Sequence, residues 1–219
     1  MNVICIYWTG DFRGRDFTPE DVWRLYATVD KHMDRNYNFY TLTNDEKAEL
    51  PGTTIPLLHA DDWPGWWAKM ELHRPDLPIG RTLYMDLDNH VIRSLTPILD
   101  TGGDLVMFDA PINKNEPGLI SRYQAATMLF TTGKFTWMYE KFLKDWDYYL
   151  EHYRSDQDIM GEWIPNQPTW PDKYLVKMRD VGRRYRKEPP KEAIVVTGQP
   201  RNNLFRRTNE IPWLERMAR

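Results

Sequence analysis

The sequence predicts an α/β fold, a mixed central sheet flanked by helices, and three observations carry that prediction. The chain opens with a strand, a polar loop and an amphipathic helix in succession. Short apolar segments then alternate with a helical pattern through the first half. Extended segments crowd the second half, which parallel crossover units alone would not produce.

Taken in order, residues 3–8 form an apolar run with β-branched members, followed by a polar loop holding Gly10, Asp11 and Arg13, and read as a buried strand. Thr18 is a suitable N-cap and Pro19 suits the first helical position, after which Val22, Leu25, Tyr26, Val29 and Met33 recur at helical spacing. Strands are expected at 37–43 and 53–58, with Asn44-Asp45 and Pro51-Gly52 as turn residues. A short helix over 65–73 precedes a fourth strand at 81–86, and further strands fall at 104–109 and 123–131. Residues 136–150 read as one helix capped by Thr136, with Trp137, Tyr139, Phe142, Leu143 and Trp146 mostly on one stripe. A short helix starts at Ser155, and late strands at 173–178 and 193–197 complete the sheet. No internal repeat or low-complexity segment is visible. The spacing predicts one domain over 1–198 and a polar, basic tail over 199–219.

Bulk properties narrow the class. The 219 residues suffice for a single continuous core, and ten Trp, twelve Tyr and eight Phe supply buried area that a disordered chain lacks. The one cysteine, Cys5, cannot form an intramolecular disulfide, so a reducing cytoplasm is expected. No secretory leader and no membrane-spanning stretch is apparent, which predicts a soluble protein. The net charge of −3 hides an asymmetry: residues 173–219 hold thirteen Lys/Arg against five Asp/Glu. That basic end suits peripheral contact with phosphates or an anionic surface, although a solvated face has the same composition. No nucleic-acid partner is expected.

The chemistry concentrates at Leu83-Tyr84-Met85-Asp86-Leu87-Asp88-Asn89-His90. Two carboxylates two residues apart at a strand end share a face and can reach one cation. Carboxylate oxygens suit Mn²⁺ or Mg²⁺, which bind through one or two such groups plus substrate phosphates. Ligands of open sheets sit at the carboxyl ends of strands. With 32 acidic residues in the chain, an Asp-x-Asp pair alone means little; its emergence from an apolar strand, where desolvated acids need compensation, gives it weight. Ser155-Asp156-Gln157-Asp158 reads by itself as an ordinary helix start, with acids at the positive end of the helix.

Four segments, Gly65-Trp66-Trp67-Ala68-Lys69-Met70, Leu83-Tyr84-Met85-Asp86-Leu87-Asp88, Ser155-Asp156-Gln157-Asp158 and Val195-Val196-Thr197-Gly198-Gln199-Pro200-Arg201, stand in an order that resembles glycosyltransferase family eight. This family holds the glycogenin-like and lipopolysaccharide-galactosyltransferase-like enzymes, and the resemblance reaches from the first strand to about Arg201. It implies a GT-A fold, a nucleotide-sugar donor (most often a UDP-sugar), a carbohydrate or glycan acceptor, and Mn²⁺ or Mg²⁺ on Asp86 and Asp88. It implies nucleotide contacts around Trp8, Thr9 and Asp11, with Lys69 near the donor and Gly198 and Arg201 in the closing motif. Asp156 and Gln157 would line the pocket where the sugars meet, and retention of anomeric configuration would follow.

The sequence departs from the family at two places. The closing motif lacks the expected metal-ligating His, because Val195 and Thr197 stand there, and Arg201 replaces the phosphate-binding Lys. His90 is a nearby substitute in sequence but is not assigned as a ligand. Of Trp63, Trp66 and Trp67, at least two are expected to be packing groups. Residues 180–191, with Arg183, Arg184, Arg186 and Lys187, read as a basic loop, and Trp213, Leu214 and Met217 as residues of the tail that pack back on the body.

Three other functions share part of the pattern. A haloacid-dehalogenase-type phosphohydrolase uses Asp-x-Asp as nucleophile and acid, yet that fold opens with the motif, and here three strands precede it. A non-catalytic sugar-nucleotide-binding protein would fit the missing His. A sugar nucleotidylyltransferase would want a Gly-rich basic loop after the first strand, which residues 10–15 match in part.

Overall fold

The computed structural model describes residues 1–12, 17–109, 123–178 and 188–198. Ten strands lie among them: β1 (Asn2–Tyr7), β2 (Asn38–Thr43), β3 (Thr53–Pro56), β4 (Arg81–Met85), β5 (Asn89–Val91), β6 (Leu105–Asp109), β7 (Tyr123–Thr131), β8 (Thr169–Trp170), β9 (Leu175–Lys177) and β10 (Val195–Thr197). The helices are α1 (Pro19–His32), α2 (Thr96–Leu99), α3 (Thr136–Lys144), α4 (Trp146–His152) and α5 (Asp156–Trp163), with 3-10 segments at Gly65–His73 and Asp172–Tyr174. None of the described helices is long and apolar enough to cross a membrane.

Seven strands form a mixed sheet in the order β3-β2-β1-β4-β7-β6-β8. The first four are parallel to one another, β7 runs antiparallel to both β4 and β6, and β8 pairs in parallel with β6. A small second sheet has β10 between β5 and β9. Alternation along β1 explains the layering, because successive side chains leave a strand on opposite faces. Val3 and Cys5 join Val22, Leu25 and Val29 of α1 in one apolar cluster, whereas Ile4 joins Trp63, Trp67, Met70 and Phe142 in another on the opposite face.

The helix start at Thr18 is real and locally self-satisfied. The Thr18 N–H donates to Asp21 Oδ2 at 3.0 Å and the Asp21 N–H to the Thr18 carbonyl at 2.9 Å. The single helix expected over 136–150 is instead two, broken at Asp145, whose φ of −137° is not helical. In an unbroken helix Phe142 and Tyr149 would lie about 10 Å apart along the axis; the break lets their rings stack at 5.5 Å over the core. Phe135, not Thr136, is the residue that precedes the first of these helices. The strand expected over 173–178 shrinks to β9 behind a 3-10 turn, and the extra strands β5 and β8 were too short to show a period. Residues 180–187 of the basic loop, with its four named cations, and the tail over 199–219 lie outside the described residues.

A buried ionic network anchors the Gly65–His73 segment to the sheet. Glu71 is fully buried and accepts hydrogen bonds from the N–H groups of Leu58 (2.9 Å) and His59 (2.8 Å) and from Arg74 Nη1 (2.7 Å). Arg74 also donates to the Pro56 carbonyl at 2.8 Å and to Asp76, so the exit of β3 is tied to the segment that carries Lys69. Removing one partner of such a pair strands the other charge, so Glu71→Ala is expected to lose about 3–5 kcal/mol of stability, read from its urea midpoint. Burial lowers the His73 imidazole to about 4. The unfolded chain then binds more protons than the folded one below about pH 6.5, so stability is complete above that pH and falls as the pH drops toward 4. Chemical denaturation across that range should show a weaker acid loss in His73→Leu, by on the order of 3 kcal/mol at pH 4.

Candidate active site

From β1 the chain moves to β2 and β3 on one side and then returns to β4 on the other. The loops leaving the carboxyl ends of β1 and β4 therefore part, and such a switch point leaves a crevice. A cleft of about 360 Å³ opens there. Trp8 reaches it from the end of β1, Trp66 and Lys69 from the 3-10 segment, Asp86 and Asp88 from the end of β4, and Asp156 and Gln157 from the start of α5.

One buried cation organises the acids. Lys69, only 7% exposed, places Nζ 3.0 Å from Asp86 Oδ1 and 3.7 Å from Asp156 Oδ2. Burial opposes the ammonium charge, but the Asp156 and Asp86 carboxylates outweigh it and hold the Lys69 pKa above its ordinary value. Burial pushes Asp156 up to about 6, Lys69 counteracts that rise and Asp86 adds to it. Tyr84, two residues before Asp86 and on the same face of β4, donates its hydroxyl to Asp86 Oδ1 at 2.5 Å. Burial, with Asp86 beside it, raises the Tyr84 pKa and keeps it a donor.

The turn joining β4 to β5 is held at each peptide. The Asp86 N–H donates to the Ala126 carbonyl at 2.8 Å, the Asn89 N–H to the Asp86 carbonyl at 3.0 Å, and the Gly198 N–H to the Asp88 carbonyl at 3.2 Å. Arg24 Nη2 donates to the Leu87 carbonyl at 2.6 Å. Asn89 Nδ2 donates to the Ala126 carbonyl and to Thr127. Antiparallel pairing of β5 with β10 sets Thr197 against Asn89 and Val195 against Val91. His90 is buried, and its pKa falls to about 3 through burial and the cations Arg24, His32 and Lys31, all of α1 or its end. It therefore packs toward α1, and it is absent from the cleft lining.

An aromatic wall faces the acids. Trp8 Nε1 donates to the Ala60 carbonyl at 2.8 Å, and Phe12 meets Trp66 edge to face at 4.7 Å. A Cβ at Gly65, where φ is +61°, would lie 2.1 Å from the Phe12 ring, so only glycine allows this closeness. Trp63 and Trp67 are core residues, which leaves Trp66 as the cleft member of that trio.

Of the residues singled out by sequence, Trp8, Lys69, Asp86, Asp88, Asp156 and Gln157 line one cleft, and Gly198 is bonded to the turn beneath it. Thr9 is turned away: its N–H donates to Asn44 Oδ1 at 2.8 Å, and Asn44 Nδ2 donates back to its carbonyl. Asp11 is exposed and is not among the residues that line the cleft, and Arg201 lies outside the described residues. Tyr84, Arg24 and Asn44 escaped the sequence reading. Tyr84 alone carried a signal, being two residues from Asp86 on a strand; the other two act through folding contacts across 63 and 35 residues.

Four carboxylates, Asp86, Asp88, Asp156 and Asp158, line the cleft against the two cations Lys69 and Arg154. That excess of negative charge and the oxygen donor set fit a hard dication that completes its shell with substrate phosphates. Among the described residues no three His, Cys, Asp or Glu side chains form a ready-made metal cage.

No protein-family model matches the chain, and no curated protein matches it by sequence. Its fold is nevertheless shared with solved glycosyltransferases. The galactosyltransferase LgtC, solved with donor and acceptor sugar analogs, superposes with a TM-score of 0.67 at 14% identity, over 100% of this chain and 94% of that one. The glycosyltransferase GlyE of Streptococcus pneumoniae TIGR4 gives a TM-score of 0.64 at 15% identity, over 90% of this chain and 55% of that one. The bifunctional glycosyltransferase WbbM gives 0.60 at 12% identity, over 98% and 50% respectively. The fold is thus that of the GT-A glycosyltransferases, as the sequence resemblance implied. It differs from the phosphohydrolase arrangement, since the acid pair follows the fourth strand and not the first.

Because Lys69 pairs with the buried Asp156 and the partly buried Asp86, Lys69→Met is expected to destabilise the protein by about 3–5 kcal/mol, seen as a lower thermal midpoint.

Proposed function

We propose that the protein transfers a glycosyl group from a nucleoside diphosphate sugar, a UDP-sugar, to an acceptor hydroxyl on a carbohydrate or glycan, with retention at the anomeric carbon. One observation carries this reading: acids from two separate elements, Asp86 and Asp88 after β4 and Asp156 with Gln157 opening α5, converge on one cleft at the switch point of a GT-A sheet. LgtC, of like fold, was solved with donor and acceptor sugar analogs, which supports the same two kinds of ligand here.

Asp86 and Asp88 would hold Mn²⁺ or Mg²⁺. Asp86 already accepts from Tyr84 and Lys69, yet a carboxylate offers about four lone-pair sites, so both contacts leave room for a cation. When bound, the metal stabilises the negative charge of the departing diphosphate. The aromatic wall of Trp8, Phe12 and Trp66 offers apolar faces to a base or sugar ring. Gln157 Oε1 accepts from the Ala125 N–H at 3.2 Å, which fixes its amide beside Asp156, where the pair can hydrogen-bond sugar hydroxyls. Lys69 holds Asp86 and Asp156 in register before any ligand arrives. Arg201, in the closing motif, is assigned to the diphosphate. A cytoplasmic setting with peripheral contact through the basic residues of 173–219 completes the reading.

Calorimetric titration of UDP, with GDP as control, with and without Mn²⁺, tests it. Metal-dependent UDP binding is expected for the wild type and its loss for Asp86→Ala with Asp88→Ala; no nucleotide binding under any condition would overturn the reading. Once a donor is found, NMR of the fresh product is expected to show the donor's anomeric configuration.

A further inference from the structure

We propose that Arg24, on α1, is a positioning residue for the cation, acting through the backbone of the turn that bears Asp86 and Asp88. The inference rests on the reading of those two acids as metal ligands. Each carbonyl of Asp86, Leu87 and Asp88 receives one donor: the Asn89 N–H, Arg24 Nη2 and the Gly198 N–H respectively. Two of these are backbone groups. Arg24 is the side chain of the set, and its partner is the peptide lying between the two acids.

That peptide matters because it is planar. Drawing the Leu87 oxygen toward α1 orients the whole Leu87–Asp88 peptide, and with it the direction in which the Asp88 side chain leaves the backbone. The bond is charge-assisted and, at 2.6 Å, short. Arg24 is itself fixed, because Nη1 donates to Asp21 Oδ1 at 2.9 Å, and the side chains of Arg24 and Asp21 are only 17% and 3% exposed. Asp21 Oδ2 accepts from the Thr18 N–H at 3.0 Å, one residue after Phe17, which lines the cleft. A continuous run of short bonds therefore leads from the cleft-lining end of the β1–α1 loop, through the first turn of α1, to the acid turn. Through it, the placement of the nucleotide side of the cleft and the placement of the acids become one problem.

The fork of the guanidinium is essential to this role. Its two nitrogens hold Asp21 and Leu87 at once, which one ammonium on a flexible stem does not reproduce. Groups that orient metal ligands from behind typically control about 10–100-fold in metal affinity.

The test is Mn²⁺ titration of the full chain with UDP present, followed by electron paramagnetic resonance of the free ion, on wild type, Arg24→Met and Arg24→Lys. Circular dichroism and thermal midpoints of the same samples report folding. Arg24→Met is expected to weaken Mn²⁺ binding about 10–100-fold, and Arg24→Lys to fall between it and wild type. A folded Arg24→Met with wild-type Mn²⁺ affinity and only a lower thermal midpoint would make Arg24 a mere helix tie and overturn the proposal. If Arg24→Met does not fold, Asp21→Asn, which loosens Arg24 without removing it, takes its place under the same two outcomes. Wild type that binds UDP but no Mn²⁺ would overturn the metal reading itself, and the role of Arg24 with it.

Discussion

The Lys69 ammonium, enclosed between Asp86 and Asp156, is the interaction on which the rest of the site depends. Each of the three groups belongs to a different element: a 3-10 segment, the end of a central strand and the first turn of a helix. Without the cation, two carboxylates would share a poorly solvated space, and the acidic start of α5 could not stand beside Asp86. The Glu71–Arg74 network extends the same solution one turn further, since it fixes the backbone that carries Lys69.

Charge and topology then act together. The parallel run from β3 to β4 brings two strand ends to one edge, and β7, antiparallel beside β4, supplies the Ala126 carbonyl that receives both Asp86 and Asn89. The acids are therefore mounted on the rigid centre of the sheet. The aromatic wall comes from the end of β1 and from the 3-10 segment, where glycines at 10 and 65 make room for rings.

Much of this was legible in the chain. The strand–loop–helix opening, the cap at Thr18 and the strand at 123–131 follow from local periodicity and capping chemistry, and the structure has all three. Asp86 and Asp88 stood out because acids emerging from an apolar strand are physically unusual. Asp156 and Gln157 did not stand out by themselves; a helix start explains them equally well, and the family resemblance was needed to join them to the strand. The break at Asp145 was hidden because a stripe of aromatic residues keeps its period whether or not the helix bends. Arg24 and Asn44 were hidden for a different reason, as each works through a backbone carbonyl or amide far away in sequence, and such contacts leave no local pattern.

The pairing of β10 with β5 sets the order in which the molecule can be assembled. The turn holding the acid pair is closed from above by a backbone group that leaves the ribosome more than a hundred residues later, at Gly198. A nascent chain that has completed β5 owns both carboxylates but lacks β10, the strand that pairs with β5, so the turn bearing its acids leads into an unpaired strand. Contacts of such long separation form late and slowly. Premature termination between β8 and β10 would thus leave the seven strands of the main sheet in hand but the acid turn without its bond to Gly198.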